Sequence, residues 1–203
     1  GFNDNGKAAL VQDSSAVYRS DFFPGLGWMM SRKLWDEELR EKWPRGFWDD
    51  WMRQPVQRKG RSCVRPEIPR SKPTCQDGEG ASMGQFCDDH LKMIVLNDPV
   101  RSRLVRWSAF NIQTLLPETY DVALKNEVSR AKTVYNMQSI FAATPNGNVD
   151  SVAVKLRYSS NEEFMVLAHA LNIMDDFKDG VPRTAYHGIV TVKWRRNWAQ
   201  VLS

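Results

Sequence analysis

Tryptophan constrains this chain more than any other feature. Eight tryptophans are many for 203 residues, and five of them (Trp28, Trp35, Trp43, Trp48 and Trp51) fall within residues 22–52 beside Phe22, Phe23, Phe47, Met29, Met30 and Met52. Each large ring removes roughly 150–250 Å² from water when covered. The stretch therefore has to build a dense aromatic core or the wall of a ligand pocket. Helical periodicity runs over 28–42, where Trp28, Leu34, Trp35 and Leu39 make an apolar stripe against Asp36, Glu37, Glu38 and Arg40. Pro44 stops that helix, and a short second helix is expected over 47–53, ended before Pro55.

Within the second helix, Phe47-Trp48-Asp49-Asp50-Trp51 sets two carboxylates among three aromatic rings, and a basic run from Arg53 to Arg70 follows. Adjacent helical residues project about 100° apart. One aspartate can therefore enter a pocket while the other pairs with the basic tail. A single pocket carboxylate suits a general base taking a proton from an attacking hydroxyl. Trp48 offers a flat apolar face for a sugar and an indole N–H for its hydroxyls. Basic or backbone N–H groups of the glycine-rich stretch 78–84 would face a departing phosphate. These parts describe glycosyl transfer with inversion. A plainer reading stands beside it: acidic residues near a helix N-terminus complement the dipole.

The apolar fraction of 42% and charged fraction of 26% are those of a globular protein. A net charge of +4 and a pI near 9.0 do not by themselves call for nucleic acid, and no zinc-finger spacing or RNP signature occurs. Cys63, Cys75 and Cys87 are spaced 12 and 12 apart, which is no metal-ligand pattern. No apolar run reaches the ~18 residues of a membrane span, and no signal peptide is seen. The start at Gly1-Phe2-Asn3-Asp4-Asn5-Gly6 reads as the interior of a longer protein, with Asn-Gly as turn chemistry. Phe22 to Trp28 is an apolar loop whose glycines permit close backbone approach.

Further along, 55–82 is a long loop region with a strand near 62–68, and a helix is expected from Gln85 to Leu91. Pro117 opens a helix to about Tyr135, Asn146-Gly147 is a turn, and Val149 to Tyr158 alternates as a strand. Ser160-Asn161-Glu162-Glu163 is a capping box for a helix ending near Ile173, within which His169 is expected in the core. Gly188–Trp194 and Trp198–Leu202 read as a final hairpin. The fold class is α/β.

Several long motifs carry a resemblance. Asn3-Asp4-Asn5-Gly6-Lys7, Tyr18 to Trp28, Lys42-Trp43-Pro44, Phe47 to Arg53, Gln57 to Arg61, Cys63 to Ile68, Gly84-Gln85-Phe86, Met174-Asp175-Asp176, Gly180 to Arg183 and Gly188 to Thr191 stand in one order. They resemble the C-terminal half of the N-acetylglucosaminyltransferase I family. The match is dense over 1–96, patchy over 97–150 and clear again to 194.

The resemblance implies the C-terminal part of a GT-A glycosyltransferase fold plus a small C-terminal α/β module. Residues 1–110 would be the acceptor and catalytic half, without the nucleotide-binding half, and 111–203 the module. It implies an inverting enzyme that uses UDP-N-acetylglucosamine and manganese. The product is a beta-1,2 linkage to an alpha-1,3-linked mannose of a high-mannose N-glycan acceptor. Asp49 would be the catalytic base, Trp48, Leu26 and Leu91 would line the donor sugar, and Ser82 would bond the donor phosphate. No nucleic acid is implied. The setting would be the Golgi lumen, with membrane attachment as a type II protein through an N-terminal anchor missing from this chain. The acidic metal motif lies upstream of the matched segment, so no manganese ligand is named. The counterpart of Cys63 pairs with a cysteine upstream of Asn3. Cys75 and Cys87 lie outside the pattern, and a bridge between them would staple the donor-covering loop. Without its missing half the segment is expected to be inactive. The alternatives are a noncatalytic glycan- or partner-binding remnant, or a relative of protein O-mannose beta-1,2-N-acetylglucosaminyltransferase.

Overall fold

The computed structural model describes residues 1–76, 79–80, 84–136, 139, 153–194 and 197–202. Ser82, most of the glycine-rich stretch, the Asn146-Gly147 turn and the first residues of the strand expected from Val149 lie outside them. The chain is a mixed α/β structure. Among the described residues no helix is long and apolar enough to cross a membrane.

The first strand, β1 (Val17–Ser20), pairs antiparallel with β2 (Cys63–Pro66), Tyr18 opposite Arg65. Between them lies the tryptophan-rich segment. Its first helix, α1, does not start at Trp28. It begins at Arg32–Leu34 with Ser31 as cap, widens to a π turn over Trp35–Leu39 and closes as a 3-10 turn over Arg40–Lys42. The physical reason is competition for Trp28. Its ring packs 5.6 Å from Phe23 and 5.5 Å from Trp48, centroid to centroid, so aromatic packing takes the residue out of the helix. The next helices are α2 (Trp48–Arg53), as expected, and α3 (Pro55–Arg58), which occupies the start of the expected loop region because Pro55 at its first position opens a new turn as well as ending the one before.

Beyond β2 come the two-residue strands β3 (Cys75–Gln76) and β4 (Glu79–Gly80), an antiparallel pair. A disulfide joins Cys75 to Cys87, whereas Cys63 is free and its thiol is pushed up to about 11 by burial. The helix expected over Gln85–Leu91 is instead a wide turn. Leu91 and Lys92 donate to the carbonyls of Phe86 and Cys87, five residues back, and a 3-10 turn follows at Leu91–Met93. Gly84 in a left-handed conformation and the tether at Cys87 leave no room for a regular start. A helix α4 (Pro99–Leu104) leads to α5 (Pro117–Arg130). That helix stops five residues short of Tyr135 because the chain enters a sheet: Lys132 and Val134 donate to Ala153 and Lys155.

The sheet has the order β5 (Lys132–Thr133), β6 (Val154–Arg157), β10 (Asn197–Leu202), β9 (Ile189–Trp194). β6 pairs parallel with β5 and β10, and β9 with β10 antiparallel as the expected hairpin. Val154, Leu156, Val190, Val192, Ala199 and Val201 form its core with Phe164, Ala168 and Leu171 of α6 (Asn161–Leu171). Ser160 caps α6 through Glu163 N–H. His169 is not in this core. The buried face is 164, 168 and 171, and His169 turns outward to sit 3.0 Å from Asp175 Oδ2. The small hairpin β7 (Phe177–Lys178) and β8 (Val181–Pro182) lies between α6 and β9.

The N-terminal residues are built into both regions. Leu10 joins the sheet core, and Phe2 packs with Cys87, Leu91 and Ile94 in a second cluster. Asn3, Asp4, Asn5 and Lys7 are all buried.

Candidate active site

The left-handed conformation of Phe47 (φ 50°) turns the chain sharply into α2, whose first residues are Trp48 and Asp49. Trp48 is fixed by ring contacts at 6.2 Å to Phe23, 5.5 Å to Trp28 and 6.2 Å to Trp43. Trp35 and Trp51 complete the cluster through Trp43. The aromatic segment thus forms a rigid block that presents one indole at its edge.

That edge borders a cavity of about 240 Å³, lined by Leu26, Trp48, Asp49 and Leu91, with Asp4, Arg53 and Arg183 on its polar side. The structure brings together four of the five residues singled out in the sequence. The fifth, Ser82, is outside the described residues. Leu26 is placed by Gly25 and Gly27, both left-handed (φ 73° and 52°). A Cβ on Gly27 would stand 2.2 Å from Ser71 Oγ, so this turn admits only glycine without rearrangement. Leu91 is buried and positioned by the wide turn after the disulfide.

Asp49 is neither deep nor free. Its side chain is 38% exposed and its Oδ2 lies 3.0 Å from Nη1 of Arg53, which is itself 6% exposed. The same Nη1 donates to Asp50 Oδ1 at 2.7 Å, and Lys178 Nζ is 3.9 Å from that oxygen. Arg53 Nε donates to Phe23 O at 3.0 Å. Sequence spacing could have shown the clamp, since Arg53 stands three and four residues after the two aspartates on one helix. The other charged pair had no such signal. Arg183 donates to Asp4 Oδ1 at 2.7 Å across 179 residues, and also bonds Asp176 Oδ2 at 2.7 Å. Both Arg53 and Arg183 pack on Phe22, each guanidinium carbon 4.8 Å from its ring centroid.

The basic run after Arg53 is largely engaged in structure. Arg58 bonds Asp21 O, Lys59 and Arg61 bond Glu38, Arg65 is buried over Tyr18, and Arg70 bonds the carbonyls of Ile68 and Ser14. Among the described residues no group of three or more His, Cys, Asp or Glu is placed to hold a metal ion. Asp4 and Asp176 are already neutralised by Arg183. These residues therefore do not fit a manganese site.

An indole, two leucines and a half-exposed carboxylate lining one cavity can receive a ring with an apolar face to cover and a hydroxyl to set near a base. The class so defined is a mixed α/β protein with an indole and a carboxylate on one small cavity. The model of the GNT-I family matches residues 1–201, and the chain belongs to that family. It is similar to the alpha-1,3-mannosyl-glycoprotein 2-beta-N-acetylglucosaminyltransferase of Arabidopsis thaliana, 41% identical over 193 residues. That alignment covers 95% of this chain and 41% of the relative, so the chain spans about two-fifths of the relative's length.

Proposed function

We propose that this chain supplies the sugar-binding and acceptor side of an inverting beta-1,2-N-acetylglucosaminyltransferase of GT-A type. Residues 1–110 are the catalytic part and 111–203 a C-terminal module, stitched to it by the buried N-terminal segment. The donor is UDP-N-acetylglucosamine and the acceptor an alpha-1,3-linked mannose of an N-glycan. Asp49 accepts the proton of the acceptor hydroxyl as that oxygen bonds to the anomeric carbon. The bond from that carbon to the phosphate oxygen breaks on the opposite side, and UDP departs with the electron pair. Trp48, Leu26 and Leu91 hold the sugar, and Ser82 bonds the phosphate. Manganese would take its ligands from outside the described residues. The protein works in the Golgi lumen as a type II membrane protein.

One observation carries this reading: Asp49 lines the same cavity as Trp48, Leu26 and Leu91. The cavity volume is of the size of one sugar ring rather than a whole nucleotide sugar, in keeping with a chain that forms only part of the site. In the full-length protein, Asp49→Asn should abolish transfer while UDP-sugar affinity stays within a few-fold, a loss on the order of 10²–10⁴ in rate for a missing base. Near-normal turnover would refute the assignment. Glycan binding with no donor dependence in the full-length protein would favour a noncatalytic role instead.

A further inference from the structure

A base needs two properties that oppose each other. It must be ionised, yet keep a lone pair free for the incoming proton. Two adjacent carboxylates near one cation raise the question of which serves. Arg53 Nη1 answers it by geometry. Toward Asp50 it makes a hydrogen bond at 2.7 Å, and Lys178 adds a second cation at 3.9 Å. Toward Asp49 it stands at 3.0 Å as a charge neighbour, and among the described residues nothing donates a hydrogen bond to the Asp49 carboxylate. Asp49 lines the cavity, and Asp50 is not among its lining residues. The guanidinium has little freedom: Nε is bonded to Phe23 O, and the plane packs on Phe22. Gly25 closes the pair from outside, where a Cβ would be 3.2 Å from Arg53 Nη2 and 3.4 Å from Asp49 Cβ.

We infer that Arg53 is a positioning residue for the transfer reaction: it ties up Asp50 and leaves Asp49 oriented and open toward the cavity. This rests on Asp49 being the base. Other charges face the pair as well. Asp50 is on the same helix, Asp4 and Arg183 line the same cavity, Asp176 is bonded to Arg183, and Lys178 reaches from β7. Arg183 is balanced by its two aspartates, so Arg53 is the cation in direct contact with Asp49.

The test compares Arg53→Gln, Arg53→Lys and Asp49→Asn in the full-length protein, with kcat and KM for donor and acceptor. Arg53→Gln removes the charge that touches both aspartates. Its kcat should fall on the order of 10-fold or more, with both KM values little changed. Arg53→Lys keeps the charge but loses the Nε bond to Phe23 O that holds the bridging Nη1 in place. Its kcat should recover part of that loss and stay several-fold below wild type. Wild-type kcat in folded Arg53→Gln overturns the inference, and so does a loss in that variant carried by KM rather than by kcat. If Arg53→Gln shows no cooperative thermal transition, the lysine variant alone decides, and wild-type kcat there overturns the inference. Asp49→Asn separates the two claims. Turnover retained there removes the base itself, whereas turnover lost there with wild-type kcat in Arg53→Gln removes only the positioning role.

Discussion

Two residues at the site occupy the same left-handed region with opposite fitness for it. Gly25 (φ 73°) has no Cβ to accommodate and faces Arg53 and Asp49. Phe47 (φ 50°) carries a full ring that is 83% exposed and so gains little from packing. A non-glycine residue in this conformation costs roughly 1–2 kcal/mol. Gly25→Ala should therefore lower the thermal midpoint and the transfer rate together, since its Cβ meets the carboxylate pair. Phe47→Gly should raise stability by up to about 1 kcal/mol, read by denaturant titration, because strain is relieved and little buried area is lost. The sequence showed Gly25 and Gly27 as places of close approach but not what approaches them. The carboxylate-indole pair was legible because both partners are adjacent in the chain. Asp4 and Arg183 were not, because no local pattern connects residues 179 apart.

At the scale of elements, legibility followed whether local signals met tertiary competition. The capping box at Ser160 and the proline start of α5 formed as read, since each is satisfied within its own turn. The end of α5, the start of α1 and the turn at Gln85 shifted where a sheet, an aromatic cluster and a disulfide claimed the backbone. β10 lies between β6 and β9, and its residues 199–202 are all buried, so alternation could not mark its faces. Two predictions belong here. Glu38 of α1 accepts from Lys59 and Arg61, each at 2.8 Å, and these bonds pull its carboxyl down from 4.5 to about 2. A depressed carboxyl stabilises the fold above its unfolded value and loses that contribution as pH falls through the folded one. Glu38→Gln should therefore be less stable than wild type at neutral pH, and the difference should shrink as pH falls below about 4.5 and vanish only below about 2 in pH-dependent melts. Salt should shrink the difference, because the pairs are at the surface. The second prediction concerns the Cys75–Cys87 bridge, whose two cysteines pack with Leu91 and Ile94. Cys75→Ser/Cys87→Ser should cost about 3 kcal/mol by loop entropy. Hydrogen exchange should rise at Leu91 and Ile94 before it rises in β6 or β10.

Across the whole molecule, the segment from Asn3 to Lys7 links the aromatic half to the sheet half. The turn at Asn3 to Gly6 formed as read, with Gly6 N donating to Asn3 O at 3.0 Å. The sequence gives it the look of a surface loop, because polar residues normally stay wet. Here they are buried because each finds a distant partner. Asn5 donates to Thr184 Oγ1 and accepts from Met174 N, Lys7 Nζ donates to Asn172 Oδ1, and Asp4 pairs with Arg183. Removing one partner of a buried pair leaves an uncompensated charge, at a cost of about 3–5 kcal/mol. Arg183→Met should lose stability of that order, since Asp4 is almost wholly buried. The loss should appear as one transition seen by both tryptophan fluorescence and far-ultraviolet dichroism, because the cut falls between the aromatic block and the sheet. Adding Asp4→Asn to Arg183→Met should restore part of it, as an amide is far cheaper to bury than a carboxylate. If the double variant is no more stable than Arg183→Met, packing of Arg183 on Phe22 and Phe86, rather than charge, is what holds the two halves in register.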